Sequence, residues 1–214
     1  MAQFISIAQV KGGTGKSTLA TQLAGALART ARVGLIDADM PQGTSSTWAA
    51  LRNDPDILCL TCDSAPQLPA LAEQLDEADC DFVIIDLPPR SLKFFRQVVP
   101  FSDLVLVPLA ATAPDVWATE RLIDELKAAR KTSRRLKYRL VWNRLPSAAA
   151  AGSLRDETVA AYKARELGSV LQQRTAYADA IAQGATVLEG RNRVARRELE
   201  ALLSEVLAQL RNAT

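Results

Sequence analysis

Histidine is absent from all 214 residues, and that one absence removes several mechanisms. No Ser-His-Asp or Cys-His nucleophile can be assembled, and no metal can be held by imidazole. Cysteine is scarce. Cys59, Cys62 and Cys80 form an odd set of three, which argues against a disulfide-built secreted domain and for a reducing cytoplasm. No apolar run approaches the about 20 residues that a membrane span needs. The opening Met1-Ala2-Gln3, followed by Phe4-Ile5-Ser6-Ile7-Ala8, lacks the basic start and cleavage site of a signal peptide and reads as a first strand.

What remains is ordinary globular material, 48% hydrophobic and 23% charged, over a length that predicts one compact domain spanning residues 1–214. The net charge of +2 conceals an asymmetry. From Lys127 to Arg139 stand Lys127, Arg130, Lys131, Arg134, Arg135, Lys137 and Arg139 with no acid among them, and Arg191, Arg193, Arg196 and Arg197 make a second cluster. Elsewhere 15 basic residues face 24 acidic ones. That pattern predicts a polyanion-facing surface on an acidic body.

Short aliphatic runs recur at Phe4–Ala8, Val33–Asp37, Ile57–Thr61, Phe82–Asp86, Leu104–Pro108 and Tyr138–Trp142. Each is nearly all apolar, as a strand buried on both faces should be. Helical patterns lie between and after them, at about 16–30, 66–78, 116–131 and 153–167. Strands alternating with helices predict a doubly wound α/β fold, a mostly parallel sheet with helices on both faces. From Val194 to Leu210, Leu199, Leu202, Leu203, Val206, Leu207 and Leu210 form one apolar stripe. Glu198, Glu200 and Glu205 occupy its polar face. Membrane-surface helices are usually Lys/Arg-rich there, so the stripe is assigned to the core.

The first strand runs into Lys11-Gly12-Gly13-Thr14-Gly15-Lys16-Ser17-Thr18, which opens a helix. Strand, glycine-rich loop and helix N-terminus together make a phosphate site: successive N–H groups point into one concavity, no Cβ obstructs the phosphate, and the helix end adds partial positive charge. Lys16 is placed for the β/γ phosphates and Ser17 for Mg²⁺. Val10 stands where the general motif has its first glycine, and Lys11 is an added lysine.

On these residues the chain resembles the ParA/MinD family of deviant Walker A ATPases, whose loop reads Lys-Gly-Gly-x-Gly-Lys-Ser/Thr. The resemblance implies that Lys11 reaches across an ATP-sandwich dimer to the partner's nucleotide. Asp37-Ala38-Asp39-Met40-Pro41-Gln42-Gly43 is similar to the family's Asp-x-Asp-Pro-Gln-Gly segment, in which Asp39 would hold the attacking water, with Met40 inserted before the proline. Phe82-Val83-Ile84-Ile85-Asp86-Leu87-Pro88-Pro89 looks like the Walker B segment, with Asp86, and Asp37 beside it, serving Mg²⁺. A plainer reading makes either aspartate a helix cap. Val141-Trp142-Asn143-Arg144 ends a strand where the family contacts adenine, so Asn143 and Arg144 are candidate nucleotide residues; an Asn at a turn is the plainer reading. Gln173-Arg174-Thr175-Ala176-Tyr177, with Ala180 and Gly184–Val187, resembles the loop and helix that close over the nucleotide.

The resemblance implies a Mg²⁺-dependent ATPase of the small ParA type: a homodimer on nonspecific nucleoid DNA, released when a ParB-like or cargo-adaptor partner stimulates hydrolysis, cytoplasmic and not membrane-bound. Arg191, Arg193, Arg196, Arg197, Arg130, Lys131, Arg134 and Arg135 are the candidate DNA contacts. A first strand at residue 3 leaves no room before it for an operator-binding helix-turn-helix. Cys59-Leu60-Thr61-Cys62 has the spacing of half a metal site, but with no second pair it reads as buried small residues. Two alternatives stay open: a binding switch with little hydrolysis, and a MinD-like membrane positioner.

Overall fold

The computed structural model describes residues 2–133, 135–147 and 152–211; Arg134 and most of the alanine-rich patch at 148–151 lie outside the described residues. Seven strands form one sheet: β1 (Gln3–Ile7), β2 (Val33–Asp37), β3 (Ile57–Thr61), β4 (Phe82–Asp86), β5 (Leu104–Leu109), β6 (Lys137–Leu145) and β7 (Glu166–Gln172). Their order is β3-β2-β4-β1-β5-β6-β7, and every pairing is parallel. The predicted doubly wound class is the one observed.

Among the described residues eight α-helices cover the two faces: α1 (Lys16–Leu27), α2 (Thr44–Arg52), α3 (Leu68–Glu77), α4 (Leu92–Val98), α5 (Ala113–Thr132), α6 (Gly152–Tyr162), α7 (Thr175–Ala182) and α8 (Arg193–Arg211). Alternation along the strands divides the core in two. Ile36, Val83, Ile85, Val105 and Val107 turn to one face, against residues of α3, α4 and α5. Leu35, Ile84, Leu104 and Leu106 turn to the other, against α1 and α8. The α8 stripe is part of that second layer: Leu199, Leu202 and Val206 are fully buried and Leu210 nearly so.

Two expectations need correction. β3 is not buried on both faces but is an edge strand, with Leu58 and Thr61 exposed. The helix expected over 153–167 ends at Tyr162, where Lys163 turns to φ +47, and its last residues belong to β7. β7 itself was hidden because it alternates as an edge strand does and carries Gly168 and Ser169, which weaken strand propensity. α2 escaped prediction because its Thr-Ser-Ser-Thr opening reads as a loop.

The parallel order brings three loops to one place. β1, β4 and β2 are neighbours, and register pairs Ile7 with Asp86 and Asp37 with Asp86. The glycine loop and both acidic strand ends therefore share the carboxyl edge of the sheet, where open α/β folds bind ligands.

Candidate functional site

The loop after β1 turns twice through left-handed backbone, at Gly13 (φ +77) and Gly15 (φ +90), the latter directly before α1. A Cβ on Gly15 would overlap Nδ2 of Asn143, so glycine is required there by both conformation and space. Asn143 is buried and spends its side chain on backbone: Nδ2 donates to the Thr14 carbonyl at 2.8 Å and Oδ1 accepts from the Arg144 amide at 2.9 Å. Arg144, itself at φ +57, donates to the Gly13 carbonyl. The two candidate nucleotide residues thus brace the glycine loop from β6.

Lys16 is 5% exposed. Burial lowers its pKa, opposed by the carboxylates of Asp86 and Asp39. Burial raises that of Asp39, with Lys16 pulling it down and Asp37 pushing it up. Asp39 is half-buried, and its carbonyl accepts from the Gly43 amide at 3.0 Å to close the turn that holds Met40. The inserted Met40 is exposed on that turn.

The two strand-end aspartates do different work. Asp37 uses both oxygens on backbone, accepting from the Asp39 amide at 3.1 Å and the Ser46 amide at 2.8 Å. It thereby holds the start of α2, as a cap would. Asp86 is fully buried and its carboxyl is pushed up to about 7, chiefly by burial, against the lowering effect of the Ser17 and Ser45 hydroxyls. Its Oδ2 accepts from Ser45 at 2.7 Å. Its Oδ1 has no hydrogen-bond partner among the described residues. A buried carboxylate oxygen left without a partner is the acceptor a hydrated divalent cation needs, so the donor set of Asp86 and the adjacent Ser17 fits Mg²⁺.

The glycine loop, Lys16, Ser17 and Asp39 open on one cleft of about 850 Å³, bounded by Gly12–Gly13, Gly15–Thr18, Asp39, Thr44 and Pro89 on one side and by Asn143, Arg144, Gln172–Thr175 and α7 on the other; the buried Asp37 and Asp86 are not among its lining residues. The segment Gln173–Tyr177 supplies that second wall. Tyr177 is buried, its hydroxyl donating to Glu198 at 3.1 Å, and Arg174 reaches the same carboxylate at 2.8 Å. Lys11 is not among the residues described as lining this cleft; its ammonium sits 2.6 Å from Asp115 in the first turn of α5. The sequence carried no sign of that pairing, since Thr112-Ala113-Pro114-Asp115 reads simply as a helix start.

The basic clusters are far apart. Arg191, Arg193, Arg196 and Arg197 are exposed near the start of α8, beside the cleft wall through Glu198. Arg130, Lys131 and Arg135 are exposed where α5 ends and β6 begins. There Lys137 and Arg139 are drawn to Gln209, Lys137 donating to its carbonyl at 2.6 Å. From residue 193 to residue 209 α8 rises about 24 Å, at about 1.5 Å per residue. Cys59 is half-buried on the edge strand, with its thiol pushed up to about 12 by burial, and Cys62 and Cys80 are buried. All three are free thiols, and no group of three Cys, Asp or Glu among the described residues could hold a metal alone. No helix among them is long and apolar enough to cross a membrane.

Comparison with known proteins agrees with this geometry. Residues 5–187 match the family model described as the CobQ/CobB/MinD/ParA nucleotide binding domain. The chain is 30% identical over 209 residues to the maintenance of carboxysome distribution protein A of Halothiobacillus neapolitanus, covering 95% of both chains. A protein of the same name from Gloeobacter kilaueensis is 30% identical over 211 residues, covering 96% of this chain and 93% of that one. Among solved structures, apo McdA of Cyanothece superposes with a TM-score of 0.79 at 20% identity, over 97% of this chain and all of that one. MinD in the MinC:MinD complex of Aquifex aeolicus superposes with a TM-score of 0.81 at 19% identity, covering 97% and 96%. The chain belongs to the CobQ/CobB/MinD/ParA nucleotide-binding family and is an ATPase.

Proposed function

We propose that this positioning ATPase forms an ATP-sandwich homodimer that binds double-stranded DNA without reading its sequence, and that a partner protein stimulates hydrolysis and release. The observation that carries this reading is the different treatment of the two loop lysines. Lys16 is buried in the cleft, whereas Lys11 stands outside its own cleft wall, more than a third exposed and clamped by Asp115. A phosphate-loop lysine placed away from its own nucleotide is available to the nucleotide of a second copy.

In this reading the amides of Gly12–Gly15 and the α1 N-terminus receive the phosphates, joined by Thr14 and Thr18, and Lys16 neutralises them. Ser17 and Asp86 hold Mg²⁺, which when bound supplies further charge neutralisation on the phosphates. Asp37 serves that site indirectly, by fixing the start of α2. Asp39 holds the attacking water beside Lys16. Phosphoryl transfer asks mainly for positioning and charge compensation, and these residues offer both. The base lies between the Asn143–Arg144 brace and the Gln172–Ala182 wall. Arg191, Arg193, Arg196 and Arg197 contact DNA phosphates on the nucleoid. Two relatives named for carboxysome distribution, matched over nearly their whole length, favour a large protein assembly as cargo, engaged through an adaptor protein in the cytoplasm.

Sedimentation with ATP tests the dimer: Lys11→Ala should bind nucleotide and stay monomeric, and normal dimerisation would remove the crossing role of Lys11. The DNA limb is tested by replacing Arg191, Arg193, Arg196 and Arg197 with Glu, which should abolish DNA binding and spare dimerisation. In the wild type, log K should fall with log salt by about 0.9 per phosphate contact, whatever the sequence. Unchanged DNA affinity of that variant at ~0.1 M salt, where exposed charges are screened beyond about 10 Å, would leave the cluster a solvated face.

A further inference from the structure

The two oxygens of Asp86 are not equivalent. Oδ2 accepts from the Ser45 hydroxyl at 2.7 Å, and Oδ1 accepts from none of the described residues. Leaving a buried acceptor unmatched is costly, and here the Ser45 hydroxyl takes Oδ2, while the Ser17 hydroxyl also acts on the carboxyl.

Ser45 is itself fully buried, the second residue of α2. Its position is set from both sides. Before it, Gly43 turns through φ +59 and its carbonyl accepts from Thr47 at 3.0 Å. After it, the Ser46 amide is held by Asp37, the register partner of Asp86 on the adjacent strand. With its backbone held on both sides, the Ser45 side chain approaches Asp86 from one direction, so it engages one oxygen and leaves the other.

We propose that Ser45 is a positioning residue for the metal site: by binding Oδ2 of Asp86 it holds the carboxylate in the one rotation that leaves Oδ1 free for a divalent cation or its water. This rests on the reading that Asp86 serves Mg²⁺. Ser45 touches neither ion nor nucleotide in this role. Its removal therefore weakens the response to the ion and spares binding of the nucleotide itself.

The experiment titrates Mg²⁺, buffered with EDTA, into protein loaded with a fluorescent methylanthraniloyl-ADP, using wild type, Ser45→Ala, Asp86→Asn and the double variant. Ser45→Ala should raise the half-saturating Mg²⁺ about tenfold, the worth of one hydrogen bond to a charged group. Nucleotide affinity in EDTA alone should change less than about twofold, a separation that general loosening of α2 would not produce. In the Asp86→Asn background Ser45→Ala should add nothing further. Wild-type Mg²⁺ response in Ser45→Ala, with a weakened one in Asp86→Asn, overturns the proposal and keeps the metal reading. A wild-type response in both overturns the metal reading. Should Ser45→Ala fail to fold, Ser45→Cys, a weak donor, takes its place: an intermediate half-saturation supports the proposal and a wild-type one refutes it.

Discussion

Asp86→Asn should stabilise the nucleotide-free, metal-free protein, and by an amount that grows with pH. In the fold the carboxyl is fully buried and titrates at about 7, against an ordinary value of 3.8. The folded state therefore holds the Asp86 proton more tightly than the unfolded chain, and stability falls as pH rises from about 3.8 to about 7, then levels. The full span corresponds to about 4 kcal/mol, at about 1.4 kcal/mol per pH unit. Between pH 5 and pH 8 the part that remains is about 2–3 kcal/mol by the same linkage. Asparagine keeps the shape of the side chain and an oxygen for the Ser45 hydroxyl but cannot ionise, so it should escape this loss. Urea unfolding in EDTA and a thiol reductant, for both proteins from pH 5 to pH 8, reads the difference directly. The wild-type midpoint should drop relative to Asp86→Asn across that window. Parallel stability curves would show that the buried carboxylate carries no such cost, and the electrostatic case for a cation at this point would fall with it.

Gly15→Ala should lower nucleotide affinity at least tenfold in calorimetry, since left-handed backbone costs alanine about 1–2 kcal/mol and the displaced Asn143 loses its bond to Thr14, worth about 1 kcal/mol. Gly25→Ala sets a gain of about 1 kcal/mol in helix propensity against overpacking of about 1–3 kcal/mol, because the new methyl would overlap Thr186 Cγ2 and press on Trp48. A net loss in urea midpoint is expected, and a gain would mean that Thr186 yields easily. Arg52→Ala should cost about 1–2 kcal/mol and speed amide exchange over residues 184–190, because Arg52 holds Glu189 at 2.9 Å and the Gly184 carbonyl at 3.3 Å. Unchanged exchange there would show that these contacts do not anchor the segment.

Legibility in the sequence followed the locality of the physics. Buried parallel strands are continuous apolar runs, so β1, β2, β4 and β5 were visible, and a glycine-rich loop joining a strand to a helix announced the phosphate site. Edge position is a property of topology and leaves no such trace, which is why β3 looked like an interior strand and β7 like the end of a helix. The site divided along the same line. Lys16 and Ser17 were marked by the loop motif, and Asp39 and Asp86 by the acidic strand ends that carry the family resemblance; the structure sets all four at one edge of the sheet. Ser45, Arg52 and Asp115 were not, because each gains its role from a partner 41 to 137 residues distant, Asp86, Glu189 and Lys11 respectively. Asn143 was found at the right place, yet its contact with Thr14 could be seen only once β6 lay beside the glycine loop.

Placement also separates the two basic clusters in a way their charge does not. α2 begins at the acidic strand ends, with Ser45 on Asp86 and Ser46 on Asp37. It ends with Arg52 on Gly184 and Glu189, while Trp48 donates to the Ala185 carbonyl at 3.0 Å. Those residues immediately precede Arg191. On the far side of the cluster Glu198 joins Arg174 and Tyr177 of the cleft wall. The Arg191–Arg197 segment is thus bracketed by contacts that lead back to the cleft, at both of its ends. Arg130, Lys131 and Arg135 stand at the opposite edge of the sheet, next to the Lys137–Gln209 contact. Coupling needs differential contact between a site and the element it controls, so a ligand in the cleft has a route of packed side chains to the first cluster. For the second cluster the route would have to cross the length of the sheet. On the proposed DNA reading, nucleotide-dependent binding is therefore expected at Arg191–Arg197, and replacing Arg130, Lys131 and Arg135 with Glu should leave its dependence on nucleotide unchanged in a DNA titration with and without ATP.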